Sequence, residues 1–156
     1  MSRLYGRARG KKRVRGWSTF YPGQRTTLIA ALGCQGFKTG LFGDWYTDGS
    51  IFLAFIQQSL APTLKPGDVL VMDNLSAHKG AGVKEAIQKT GARLLYLPPY
   101  SPDLSPIELA WSKIKHSVRK TAALTHETLH HAICEAFRSV TQDDSLAWFN
   151  HCGYRT

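Results

Sequence analysis

No acidic residue occurs before Asp44. The first 43 residues carry Arg3, Arg7, Arg9, Lys11, Lys12, Arg13, Arg15, Arg25 and Lys38, a charge of 9 − 0 = +9, which equals the net charge of the whole 156-residue chain. Residues 44–156 hold 20 − 9 = 11 basic and 11 acidic side chains and therefore balance. A dense cationic run attracts polyanions, and each phosphate it neutralises adds salt-sensitive affinity. The run points to nucleic acid, with Arg7, Lys11, Lys12, Arg13 and Arg15 as candidate contacts. The alternative is a solvated tail without a partner.

Other absences narrow the class. No apolar run approaches the roughly 20 residues needed to cross a bilayer, and no apolar stretch follows the N-terminal basic residues as it does in a secretory signal. The three cysteines, Cys34, Cys134 and Cys152, are an odd number without a C-x-x-C pair. They read as unpaired thiols of a reducing cytosol, and a cytoplasmic location is expected. The phosphate-loop pattern G-x-x-x-x-G-K-[ST], the dinucleotide pattern G-x-G-x-x-G after a strand, and the nucleophile pattern G-x-S-x-G are all missing, so those chemistries lack support. His126 and His130 have the i,i+4 spacing of a zinc pair, but neither a third ligand nor H-E-x-x-H follows, and no zinc site is expected.

The length suits one domain with a real core. Glycine and proline punctuate residues 1–24, which read as a basic irregular segment ahead of a folded part at 25–156. Residues 26–33 and 37–42 read as two strands joined by a tight antiparallel turn at Gln35-Gly36. Residues 49–60 have helical periodicity through Ile51, Phe52, Phe55, Ile56 and Leu60, and Pro62 closes that helix. Asp68–Met72 has the continuous apolar pattern of a parallel strand covered on both faces. A helix over 79–90 and a strand over 92–97 complete a βαβ unit. Helices are expected from Pro106 to about Lys120, from His126 to Val140, and briefly over 143–154, where Trp148 and Phe149 serve as core anchors.

Two carboxylates fall where this pattern makes sites. Asp73 ends the 68–72 strand, and open α/β sheets bind ligands beyond the carboxyl ends of their strands. Asp73-Asn74 also suits a simple turn. Glu108 opens the helix at 106, where Ser105-Pro106-Ile107-Glu108 fits a capping box that needs no further function. Glu108, Ser112, Lys115 and Arg119 share one helical stripe, which reads as a solvated face or as a metal ligand beside phosphate-binding cations.

The segments Val71-Met72-Asp73-Asn74-Leu75-Ser76-Ala77-His78-Lys79 and Leu97-Pro98-Pro99-Tyr100-Ser101-Pro102-Asp103-Leu104-Ser105-Pro106-Ile107-Glu108 resemble the catalytic domain of mariner-related transposases of bacterial insertion sequences, members of the DDE superfamily. The 34 residues between Asp73 and Glu108 match that family's interval between its second and third acids. The resemblance spans nearly the whole chain, from about Arg3 to Tyr154. It implies an α/β fold, a ribonuclease-H-like mixed sheet flanked by helices. It also implies that Asp73 and Glu108 are catalytic metal ligands, that transposon-end DNA is the partner, and that Mg²⁺ or Mn²⁺ acts in a two-metal site for strand cleavage and transfer. His78, Lys79, Lys115 and Arg119 become candidate DNA neighbours.

One departure is large. The family's first acid lies on its first, central strand, upstream of a segment matching Arg3-Leu4-Tyr5-Gly6-Arg7. Asp44 and Asp48 do not match it. The expectation is therefore a chain that lacks its first strand and first acid, from a split, frameshifted or truncated reading frame. Such a chain is expected to be inactive and poorly stable alone, with an upstream transposase fragment or a second copy as partner. A non-catalytic DNA-binding remnant, or an inert fragment of a mobile element, is the alternative.

Overall fold

The computed structural model describes residues 26–123 and 125–155. The expected 1–24 segment, with Arg7, Lys11, Lys12, Arg13 and Arg15, lies outside them. Strands β1 (Thr27–Gly33) and β2 (Gly36–Gly43) form an antiparallel hairpin whose turn is Cys34-Gln35, one residue earlier than the composition suggests. Gly36 closes it at φ +111°, a conformation glycine reaches without steric cost. The register shifts between Ala31 and Leu32, because Thr39 and Phe37 pair across and Lys38 is skipped, a one-residue bulge.

Helix α1 (Gly49–Phe55) starts on Asp48, whose carboxylate accepts the backbone N–H groups of Ser50 and Ile51. The single helix expected over 49–60 is divided: residues 56–60 widen into a π turn, and 61–63 tighten into a 3₁₀ turn at Pro62. Phe52, Phe55, Ile56 and Leu60 all reach the interior. Strand β3 (Val69–Met72), a short 3₁₀ turn over 76–79, helix α2 (Ala81–Gln88) and strand β4 (Arg93–Tyr96) form the βαβ unit, with β3 and β4 parallel. Helices α3 (Pro106–Thr121), α4 (His126–Arg138) and α5 (Gln142–His151) follow.

Two apolar layers hold these elements. Ile29 of β1 packs with Phe52, Phe55, Ile56, Leu60, Met72, Val83 and Ile87. On the opposite face, Leu28 of β1 and Phe37 and Phe42 of β2 pack against Ile114, Val118, Ala132, Ile133 and Ala136 of α3 and α4. The strand alternation of period two thus feeds both layers.

The sheet is the point of difference. The hairpin β1–β2 and the parallel pair β3–β4 are separate two-stranded sheets, and among the described residues no strand joins them. Residues 68–72 were expected to be covered on both faces, yet Val69 is half exposed and only Met72 is buried. In β1 only Ile29 is buried. Both strands instead line a shared apolar groove of about 430 Å³. In α5, Trp148 and Phe149 are only partly buried and Ser145 is the enclosed residue, so the expected pair of core anchors is not realised.

Candidate active site

Asp73 follows β3 directly and Glu108 sits in the first turn of α3. Both border the apolar groove, and both also border a second cavity of about 600 Å³ walled by the proline-rich loop 97–102. They therefore stand at the junction of the two, and no other acid among the described residues lines either.

The capping box foreseen for Glu108 does not form. Ser105 makes no side-chain cap hydrogen bond, and the first turn closes through the Glu108 backbone N–H donating to the Ser105 carbonyl at 3.1 Å. Pro106 has no N–H to be satisfied there. Among the described residues the exposed Glu108 carboxylate has neither a hydrogen bond nor an ion pair, so it is available to a ligand. The positive end of the α3 dipole favours its charge.

Asp73 makes the turn foreseen for it and leaves one carboxylate oxygen free. Its Oδ1 accepts the Leu75 backbone N–H at 3.1 Å, a local turn. The same oxygen lies 2.6 Å from His78 Nδ1 in a close contact that lacks hydrogen-bond geometry. Oδ2 is left without a partner among the described residues, and the side chain is 52% exposed. His78 is mostly covered because its ring stacks on Phe52, with centroids 4.3 Å apart.

Three side chains to which the sequence reading gave no long-range role fasten the loops around these acids. Asn74 donates to the Leu97 carbonyl, and Tyr96 donates to the His78 carbonyl at 2.9 Å, so the segment after β3 is fastened to β4. Tyr154 donates to the Leu104 carbonyl at 2.7 Å and fastens the proline-rich loop to the end of the chain. The partners in these three bonds are 18 to 50 residues apart and have no local signature in the sequence. Tyr100 projects fully into solvent from the same loop at φ +57°, an uncommon conformation for a residue with a side chain.

Lys79 lines the second cavity beside the two acids. Lys115 and Arg119 lie exposed on the Glu108 stripe of α3, while Ile114 and Val118 are buried on its other face. The structure therefore gathers Asp73, Glu108, His78 and Lys79 at one place and lays Lys115 and Arg119 along the helix leading away from it. Asp44 and Asp48 are engaged elsewhere: Asp48 caps α1, and Asp44 accepts from Thr26 Oγ1 at 3.0 Å and faces His126.

Two hard oxygen donors on rigid elements suit Mg²⁺ or Mn²⁺, which use one or two carboxylates and complete their shells with water and phosphate oxygens. The unpartnered Asp73 Oδ2 and the free Glu108 carboxylate meet that requirement in kind.

Comparison with known proteins agrees with this picture. The DDE superfamily endonuclease family model matches residues 2–130. No curated protein matches by sequence. Among solved structures, the Mos1 strand transfer complex is similar over 97% of this chain and 47% of that one, with a TM-score of 0.77 and 14% identity. The isolated catalytic domain of Mos1 mariner transposase is similar over 88% of this chain and 73% of that one, with a TM-score of 0.69 and 14% identity. The same domain with raltegravir and Mg is similar over 88% and 74%, with a TM-score of 0.69 and 15% identity. The chain thus spans about half the length of the full Mos1 chain and has the ribonuclease-H-like fold of that catalytic domain. It belongs to the DDE superfamily endonuclease family.

Proposed function

We propose that this chain forms part of the strand-cutting and strand-joining site of a DNA transposase, with Asp73 and Glu108 as the second and third acids. The observation that carries this reading is the convergence of two carboxylates, one unpartnered and one with a free oxygen, at the end of a parallel strand and the start of a helix. A metal bound there supplies Lewis-acid activation of the attacking water or DNA 3′-hydroxyl and stabilises the leaving oxygen. The protein's part is to hold Asp73 on backbone fastened through Asn74 and Tyr96, to hold Glu108 in the first turn of α3, and to present cations to the DNA backbone. Lys79, Lys115 and Arg119 suit that role, as do Arg7, Lys11, Lys12, Arg13 and Arg15, because phosphate contacts position the duplex without reading its sequence. Structures similar to this one hold transposon ends and Mn, which supports DNA and a divalent ion as partners.

The site is two acids strong. Residues 1–43 contain no acid, and no further carboxylate of the described residues lines the groove. We assign the missing carboxylate to a strand outside these 156 residues, lying in the groove between β1 and β3. Both flanking strands lack a partner on that side among the described residues, and an open strand edge takes up another strand through its free N–H and C=O groups. The chain alone is then inactive.

The test is Mn²⁺-dependent nicking of supercoiled DNA carrying transposon ends. No nicking is expected from the 156-residue chain alone. Robust cleavage that disappears in Asp73→Asn would show that the described acids suffice and that no further strand is needed.

A further inference from the structure

A second cluster of metal-ligating side chains lies apart from the acids and shares no residue with them. The sequence reading set aside His126 and His130 for want of a third ligand; the fold supplies it. Phe42 of β2 packs into the α3–α4 layer and meets the His130 ring edge-on, with centroids 5.2 Å apart. This draws the end of β2 against the first turns of α4, and Asp44, just past β2, arrives beside His126 and His130. One ligand atom from each of the three residues lies within 4.8 Å of the other two.

Three details fit a cation. His126 Nδ1 and Asp44 Oδ2 are 3.3 Å apart. Two ligands of a tetrahedral ion with bonds of about 2.0–2.1 Å stand roughly 3.3 Å apart, so this pair already has the required bite. Asp44 Oδ1 accepts the Thr26 hydroxyl at 3.0 Å, the outer-shell bond that orients a ligating carboxylate and leaves Oδ2 to the metal. His130 Nε2 is enclosed and has no hydrogen-bond partner among the described residues, an arrangement that calls for an explanation.

We propose that Asp44, His126 and His130 form a Zn²⁺ site with an open fourth position. Two imidazoles and one carboxylate favour Zn²⁺ over Mg²⁺, since imidazole is a poor ligand for the harder ion. Bound there, the ion ties the β1–β2 hairpin to α4, independently of whether the Asp73–Glu108 pair is catalytic.

The experiment uses the metal-stripped 156-residue chain and Co²⁺ as the spectroscopic probe. Co²⁺ is expected to give the intense visible bands of a four-coordinate ion, abolished by Zn²⁺ and unaffected by excess Mg²⁺. Asp44→Asn, which keeps an oxygen for Thr26, and His130→Gln are each expected to weaken binding at this site by about tenfold or more, while Asp73→Asn keeps the four-coordinate bands of the parent. In the unaltered chain, the ring protons of His126 and His130 are the histidine signals expected to move when Zn²⁺ is added. The proposal is overturned if the folded parent shows no four-coordinate spectrum, if both variants bind as tightly as the parent, if binding is lost in Asp73→Asn instead, or if other histidines shift.

Discussion

Glu108 is a glutamate in the first turn of a helix that spends nothing on capping it. Because its carboxylate makes neither a cap hydrogen bond nor an ion pair among the described residues, Glu108→Gln and Glu108→Ala are expected to unfold within about 0.5 kcal/mol of each other. Thermal denaturation checks this, and an alanine variant less stable than the glutamine variant by about 1 kcal/mol would restore the capping reading, since glutamine fills a capping box and alanine does not. Ala122 is the opposite case. It ends α3 in the left-handed region at φ +48°, where a Cβ is unfavourable. Ala122→Gly is expected to stabilise the fold by about 1 kcal/mol, because glycine reaches this conformation without the clash. A raised denaturation midpoint in urea is the readout.

Among the elements, α5 carries its own pH dependence. Its N-cap Thr141 and Asp144 form a reciprocal box, and Asp144 also pairs with Lys113 of α3, whose ammonium donates to the Ser139 carbonyl at 3.0 Å as well. The Lys113 ammonium, and then the Thr141 backbone N–H, hold the Asp144 carboxyl below its ordinary value. A carboxyl depressed in the folded state contributes stability above its unfolded pKa of about 4 and loses it as pH falls through the lower folded value. Asp144→Asn is therefore expected to be less stable than the parent near neutrality, with the gap closing below about pH 4. A gap that stays constant with pH would contradict it. Most helices were legible because their apolar stripes and stop signals are local: Pro106 starts α3, and Thr125 and Thr141 cap α4 and α5. The π turn at 56–60 was not legible, since apolar residues at Ile56 and Leu60 satisfy helical spacing whether the turn has its usual width or not.

For the whole molecule, the decisive quantity is pairing between strands distant in sequence. Residues 68–72 have the composition of a central strand, and composition is set by the surface a strand buries, not by which strand buries it. Apolar runs therefore found β1 and β3 but could not show that they face each other across a groove. Likewise the carboxylates were legible from Asp73 after an apolar run and Glu108 after the proline block, whereas the Asp44–His126 contact spans 82 residues and leaves no trace in spacing. A groove between β1 and β3 that no strand of the described residues fills leaves apolar surface in water, so the chain alone is expected to unfold at low denaturant and to self-associate. Light scattering checks this, and a monomer with a sharp, high-temperature transition would contradict it.

The central claim is that Asp73 and Glu108 bind a divalent ion together. Mn²⁺ titration followed by electron paramagnetic resonance tests it most directly, on the parent, Asp73→Asn and Glu108→Gln, each verified as folded by circular dichroism. The expected result is Mn²⁺ binding by the parent that either substitution abolishes without loss of fold. Equal Mn²⁺ binding by all three proteins would contradict it.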